Sequence, residues 1–179
     1  MDENKIVISY PSFDKMGLES DLFKDLEVIS LEETLITLIK EATSEILISS
    51  PFLEPDTIKG IINILIKKAY DGVNVKILIR EINNRKESIL KLIDEIDSNN
   101  LNKKFEIKEY HYYKENKVFS SIHAKFLISD KKLAYVGSGE LRYNSFKKNL
   151  EIGLIAKGDK VITLRKIFYN LWEVSKEIK

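Results

Sequence analysis

The chain has 179 residues, 44% of them hydrophobic and 32% charged, a balance that suits one globular domain with a sizeable buried core. It contains no cysteine, which excludes disulfides, thiolate catalysis and cysteine-based zinc or iron–sulfur sites. The formal charge of +1 conceals an uneven spread: residues 1–60 carry five Lys/Arg against thirteen Asp/Glu, whereas residues 103–148 carry eleven against five. No apolar run approaches the ~20 residues that a membrane-spanning helix needs. The start, Met1-Asp-Glu-Asn-Lys5, lacks the basic and apolar pattern of a signal peptide, so a cytoplasmic protein without a membrane span is expected.

Residues 1–25 read as an N-terminal extension, with a short strand at Ile6–Ser9 broken by Tyr10-Pro11, and residues 26–179 as the domain proper. Ser30-Leu-Glu-Glu33 is a capping box, and Leu31, Leu35, Leu38 and Ile39 follow at helical spacing, which predicts a helix from Leu31 to about Ala42. Glu45–Ser50 is an apolar strand stopped by Pro51. Asp56 is then expected to cap a helix running through Ile58, Ile61, Ile62, Leu65 and Ile66 to a stop at Gly72. Val73–Ile79 is a nearly continuous run rich in β-branched residues, as in a strand buried on both faces. A helix is predicted over Ser88–Ile96, one strand over Phe105–Tyr113, and a surface loop at Lys114–Lys117. His123–Ser129 and Leu133–Val136 read as a hairpin across Asp130-Lys131-Lys132, Leu150–Ala156 as the next strand, and Val161, Leu164, Ile167, Phe168 and Leu171 as a C-terminal amphipathic helix. This alternation predicts an α/β fold, a mixed β-sheet with helices on both faces.

The chemistry concentrates in Ser121-Ile-His123-Ala-Lys125-Phe-Leu-Ile-Ser-Asp130, followed by Gly137-Ser138 and Glu151. His123 is one of only two histidines, the other being His111. Side chains at i and i+2 of extended backbone share a face, so His123 and Lys125 enter one cleft together. An unperturbed imidazole titrates near about pH 6.5 and serves as nucleophile or general acid at cellular pH. Transfer of a phosphoryl group asks for positioning and for stabilisation of charge on non-bridging oxygens, which a lysine and serine hydroxyls supply. The basic stretch around these residues suits a polyanionic substrate. Asp130 is expected to pin the turn that follows it. In Tyr110-His111-Tyr112-Tyr113 the aromatic residues and His111 read as strand packing rather than as a base-stacking platform.

His123-x-Lys125-x4-Asp130, then Gly137-Ser138, then Asn149-Leu-Glu151-Ile-Gly153, resembles the signature of the phospholipase D superfamily. Glu45–Phe52, the helix ending at Ala69-Tyr-Asp-Gly72 and the strand after it are similar to the elements that precede the motif there, so the resemblance runs from about Leu26 to the C-terminus. It implies a phospholipase D-like domain and a phosphodiesterase that needs neither metal nor cofactor. In that account His123 forms a phosphohistidine, Lys125 and Ser138 hold phosphate oxygens, and Glu151 orients an imidazole, with Asp130 completing the catalytic set. Arg142, Lys147, Lys148 and Asn149 are candidates for contacts to substrate; Arg80 and Arg85 are weaker ones. The family mechanism uses two such motifs and this chain has one, so a homodimer with one shared site is expected. Nucleic acid is the expected substrate, which makes the protein a nuclease. A phospholipid-acting enzyme is one alternative, and a binding module with weakened chemistry is another. The last arises because Glu140 stands where the family usually has an asparagine that donates to phosphate, leaving Asn144 or Asn149 to substitute. The upstream residues are also similar to phospholipase D-like components of bacterial anti-phage defence systems, which implies partner proteins from such a system.

Overall fold

The computed structural model describes residues 6–9, 26–80, 86–115 and 117–178, apart from the side chains of Lys86 and Tyr113. Arg85 and the Tyr10-Pro11 break lie outside the described residues. The strands are β1 (Ile6–Ser9), β2 (Val28–Ser30), β3 (Glu45–Ser49), β4 (Asn74–Ile79), β5 (Phe105–Glu109), β6 (His111–Lys114), β7 (Lys117–Ser121), β8 (Phe126–Ser129), β9 (Leu133–Gly137), β10 (Glu151–Lys157) and β11 (Lys176–Glu177). The helices are α1 (Leu31–Glu41), α2 (Lys59–Tyr70), α3 (Lys86–Ser98), α4 (Tyr143–Lys147) and α5 (Asp159–Glu173).

Among the described residues nine strands form one mixed sheet in the order β11-β5-β4-β3-β8-β9-β10-β1-β2. β3, β4 and β5 run parallel, joined through α2 and α3. β8, β9 and β10 form an antiparallel meander against β3. Ile6–Ser9 pairs with both β10 and β2, and Val7 is fully buried, so this strand belongs to the sheet.

Side chains alternate between the two faces of the central strands as the two-residue period requires, and both faces are buried. Ile46 and Ile48 of β3, with Val75, Ile77 and Ile79 of β4, face the core under α1, α2 and α3. Leu47 and Leu78 face the opposite core, where Val161, Phe168 and Trp172 of α5 close the sheet. Helices therefore cover both faces, as the sequence pattern predicts. Ser30 caps α1 by accepting from the Glu33 N–H. Among the described residues no helix is long and apolar enough to cross a membrane.

Three local expectations are corrected. Asp56 does not cap α2: Pro55–Thr57 forms a 3₁₀ turn, and the helix begins after Ile58 without a side-chain cap. Phe105–Tyr113 is not one strand, because the Tyr110 N–H bonds to Ile79 at the end of β4 and the chain then leaves the sheet as the β6–β7 hairpin. Lys114 and Lys117 pair next to the tip of that hairpin, where Glu115 takes a positive φ of 51°. The strand after the hairpin begins at Phe126, three residues later than expected. Its neighbour β3 stops at Ser49, the partner of Phe126, and Pro51 beyond it has no N–H to extend the ladder.

Candidate active site at one pole of the sheet

Because β3 and β9 run against β8 and β10, the C-terminal ends of the first pair and the N-terminal ends of the second meet at one pole. There the segment Ile122–Lys125 is fixed by contacts other than a ladder. The Ser49 hydroxyl donates to the Ala124 carbonyl at 2.6 Å, and the Gly137 N–H donates to the Lys125 carbonyl at 3.3 Å. Lys125 Nζ in turn donates to the His123 carbonyl at 3.1 Å and stands 3.5 Å from His123 Nδ1. The imidazole is exposed and the ammonium half-buried beside it.

Ser138 follows β9 directly. Its N–H bonds to the Ile152 carbonyl at 3.0 Å, while its hydroxyl accepts from the Ile152 N–H at 3.1 Å. Glu151, the first residue of β10, is buried, and its Oε1 accepts from the Ser145 hydroxyl and from the Asn149 amide, both at 3.0 Å. Asn149 thus reaches this pole as a donor to Glu151.

The glycines of the Gly137-Ser138-Gly139 turn and Gly153 form a cradle for Tyr135, which is 1% exposed. A Cβ on Gly153 would lie 2.3 Å from Tyr135 Cε2, and one on Gly137 2.3 Å from the Tyr135 hydroxyl. The phenol oxygen accepts from the Gly139 N–H at 3.0 Å and so sets the turn that carries Ser138. Burial pushes the Tyr135 phenol up to about 12; the Gly139 N–H opposes this and the Glu151 charge adds to it.

Glu140 is buried and bound to protein groups. Its Oε2 accepts from the Phe52 N–H at 3.1 Å and its Oε1 lies 3.6 Å from Arg142. Burial raises its carboxyl above the ordinary range, against the Phe52 N–H, Lys125 and Arg142 and with the help of Glu151. Arg142 also lies 3.8 Å from Glu54, and its guanidinium sits 5.3 Å from the Phe52 ring centre; Arg80 is 5.7 Å from the same ring. Lys147 bonds to Glu32 of α1 at 2.6 Å, and Lys148 lies 5.6 Å from the Tyr143 ring.

Asp130 follows the C-terminal end of β8, the opposite end of that strand from His123. Its carboxylate meets Lys132 of the turn after it at 3.8 Å but chiefly pins the α1–β3 loop, accepting from the N–H groups of Thr43, Ser44 and Glu45 and from both hydroxyls of that loop. Burial would raise this carboxyl, but those donors outweigh it and hold it far below the usual carboxylate range. At the same pole Glu45 is held by Arg165 and by the Tyr169 hydroxyl.

The structure therefore gathers His123, Lys125, Ser138, Glu151 and Asn149 at one pole and leaves Asp130 at the other. Sequence reasoning missed Ser49, Ser50, Tyr135 and Ser145; the Ser50 hydroxyl accepts from the Leu141 N–H at 3.0 Å. Two consecutive serines before Pro51, both buried, were the available signal for the first pair. Among the described residues no group of three or more histidine, aspartate or glutamate side chains is arranged to hold a metal.

This fold and this pole place the chain in a known class. The family described as "Cardiolipin synthase, PLD-like domain" matches residues 35–172, and the chain belongs to it. The chain is 32% identical over 107 residues to the DISARM protein DrmC of Bacillus paralicheniformis, a match that spans 60% of this chain and 42% of that protein. Among solved structures, NucT from Helicobacter pylori superposes with a TM-score of 0.68 at 18% identity, covering 82% of this chain and 90% of NucT. Nuc from Salmonella typhimurium, a phospholipase D family member, gives 0.63 at 18% identity, with 83% and 90% covered. At these identities the likeness establishes a shared fold.

Proposed function

We propose that this protein is a nuclease that cleaves phosphodiesters of nucleic acid through a phosphohistidine on His123, with neither metal nor cofactor. The observation that carries this reading is the pairing of His123 with the Lys125 ammonium at 3.5 Å, at the pole of the sheet that also carries Ser138. Lys125 and Ser138 hold the non-bridging oxygens as charge develops on them. His123 attacks phosphorus, a second imidazole protonates the leaving oxygen, and water then releases the phosphate. Glu151 is buried, with Ser145 and Asn149 fixing its oxygen, and serves to orient imidazole. Glu140 takes no part in holding phosphate, since its carboxylate is committed to Phe52 and Arg142.

The second imidazole comes from the His123 of a twofold partner. Support comes from an apolar surface continuous with the site. Ile6, Val136 and Leu154 stand in register across β1, β9 and β10, all exposed, and Ile152, also exposed, bonds through its backbone to Ser138. A second copy seated there brings the two poles together. Chain mixing tests this. After subunit exchange between equal amounts of wild type and His123→Ala, about a quarter of the activity of an all-wild-type sample is expected, because mixed dimers lack one histidine. Activity that follows the wild-type fraction linearly contradicts the shared site.

The DrmC relative, together with the resemblance of the upstream residues to defence-system components, supports a place for this protein beside partner proteins of such a system.

A further inference from the structure

The β6–β7 hairpin stands outside the main sheet as a two-stranded ribbon. Two of its aromatic side chains are not buried as strand packing would require: Tyr112 is 66% exposed and Phe119 71%. Phe119 is the unpaired residue of a bulge, lying between the Tyr112–Ser120 and Tyr113–Val118 pairs. Lys114 Nζ lies 5.9 Å from the Phe119 ring, so these two share a face, and Tyr112, two residues before Lys114, lies on it as well. Lys117, paired with Lys114, adds a second exposed cation. The ribbon ends at Ser121, two residues before His123, and is anchored by the Ile122 N–H on the Tyr110 carbonyl.

From this placement we infer that the β6–β7 hairpin is a stacking platform for unpaired bases, which selects single-stranded nucleic acid for the His123 site. The inference rests on the phosphodiesterase reading for its substrate. Exposed large aromatic rings lose free energy to water unless something covers them, and a base offers a flat partner of matching chemistry. Lysines beside the rings meet the phosphates between successive bases. A duplex keeps its bases stacked on each other and gives the rings nothing to cover.

The test measures binding to His123→Ala protein, which leaves the probe intact. The probes are an oligo(dT) of about twelve nucleotides, a base-free abasic oligomer of equal length and a duplex. The Tyr112→Ala/Phe119→Ala double variant is expected to bind oligo(dT) about tenfold or more weakly and the abasic oligomer unchanged, while Tyr112→Phe and Phe119→Tyr bind oligo(dT) as the parent does. Lys114→Ala is expected to weaken both oligomers alike and to flatten the salt dependence. Both rings are exposed, and an unchanged melting temperature confirms that the variants fold. Equal loss on both oligomers, no loss on either, or loss only on phosphatidylserine vesicles overturns the platform. Cleavage assayed separately with the parent histidine distinguishes the two readings. Ring-dependent binding without any cleavage leaves the platform standing and refutes the nuclease; cleavage without ring-dependent binding refutes the platform alone.

Discussion

The Ser49 hydroxyl donates at 2.6 Å to the carbonyl of Ala124, the residue that separates His123 from Lys125. One strand end thereby fixes the segment that carries both site residues, where no ladder reaches. Ser49→Ala removes that bond and is expected to cost about 1 kcal/mol of stability. It is also expected to lower kcat about tenfold with little change in KM, because a small misplacement of reacting groups is costly. Thermal melts and steady-state kinetics check this, and wild-type kcat in the variant contradicts it.

Gly153→Ala tests the cradle around Tyr135. The new methyl would stand 2.3 Å from a ring carbon and 2.8 Å from the Val136 carbonyl, and neither can move freely in a packed core. A loss of about 2–3 kcal/mol is expected by chemical denaturation. Tyr135→Phe is milder in shape but strips the Gly139 N–H of its acceptor, for a loss of about 1–3 kcal/mol and a displaced Ser138 turn.

Asp130→Asn separates structural from chemical roles in the motif. The carboxylate accepts from three backbone N–H groups and two hydroxyls, and Asn is expected to cost about 2–4 kcal/mol at neutral pH. The sign with pH follows from its depressed folded value. The stabilisation is fully present above the unfolded value of about 3.9 and is lost as pH falls below it toward the folded one. Between about pH 4 and pH 2 the wild type is expected to lose stability faster than the variant. Parallel curves through that window contradict the assignment.

Glu140 gives the opposite sign. Its folded value is raised, so its contribution to stability falls as pH rises from about 4.3 through that value. Glu140→Gln keeps an acceptor for the Phe52 N–H and removes the buried charge, and its stability relative to wild type is expected to improve over that rise. Glu140→Ala removes the same titration but also removes the acceptor of the Phe52 N–H, so it is expected to lie about 2 kcal/mol below Glu140→Gln across the acid range. Denaturant midpoints measured across the acid range distinguish the two.

Much of this was legible in the sequence because it rests on local chemistry. The cap at Ser30, the two-faced burial of Val75–Ile79 and the Gly72 stop are periodicity and propensity made visible. Lys125 does approach His123, as their spacing predicts, although the strand on which that expectation rests begins only at Phe126. What the sequence hid depends on contacts distant along the chain. Nothing near Asp130 announces that Thr43 and Ser44 bond to it, and nothing near Glu140 announces Phe52. Tyr112 looked like strand packing because its exposure depends on Tyr110 ending β5's run and the hairpin leaving the sheet.

The central claim is that His123 performs phosphodiester chemistry. Its most direct test is cleavage of labelled single- and double-stranded DNA and RNA in excess EDTA by wild type and His123→Ala side by side. The expected result is EDTA-resistant cleavage by the wild type that disappears in the variant. Cleavage that survives in His123→Ala, or none by the wild type on any of these substrates, contradicts the account.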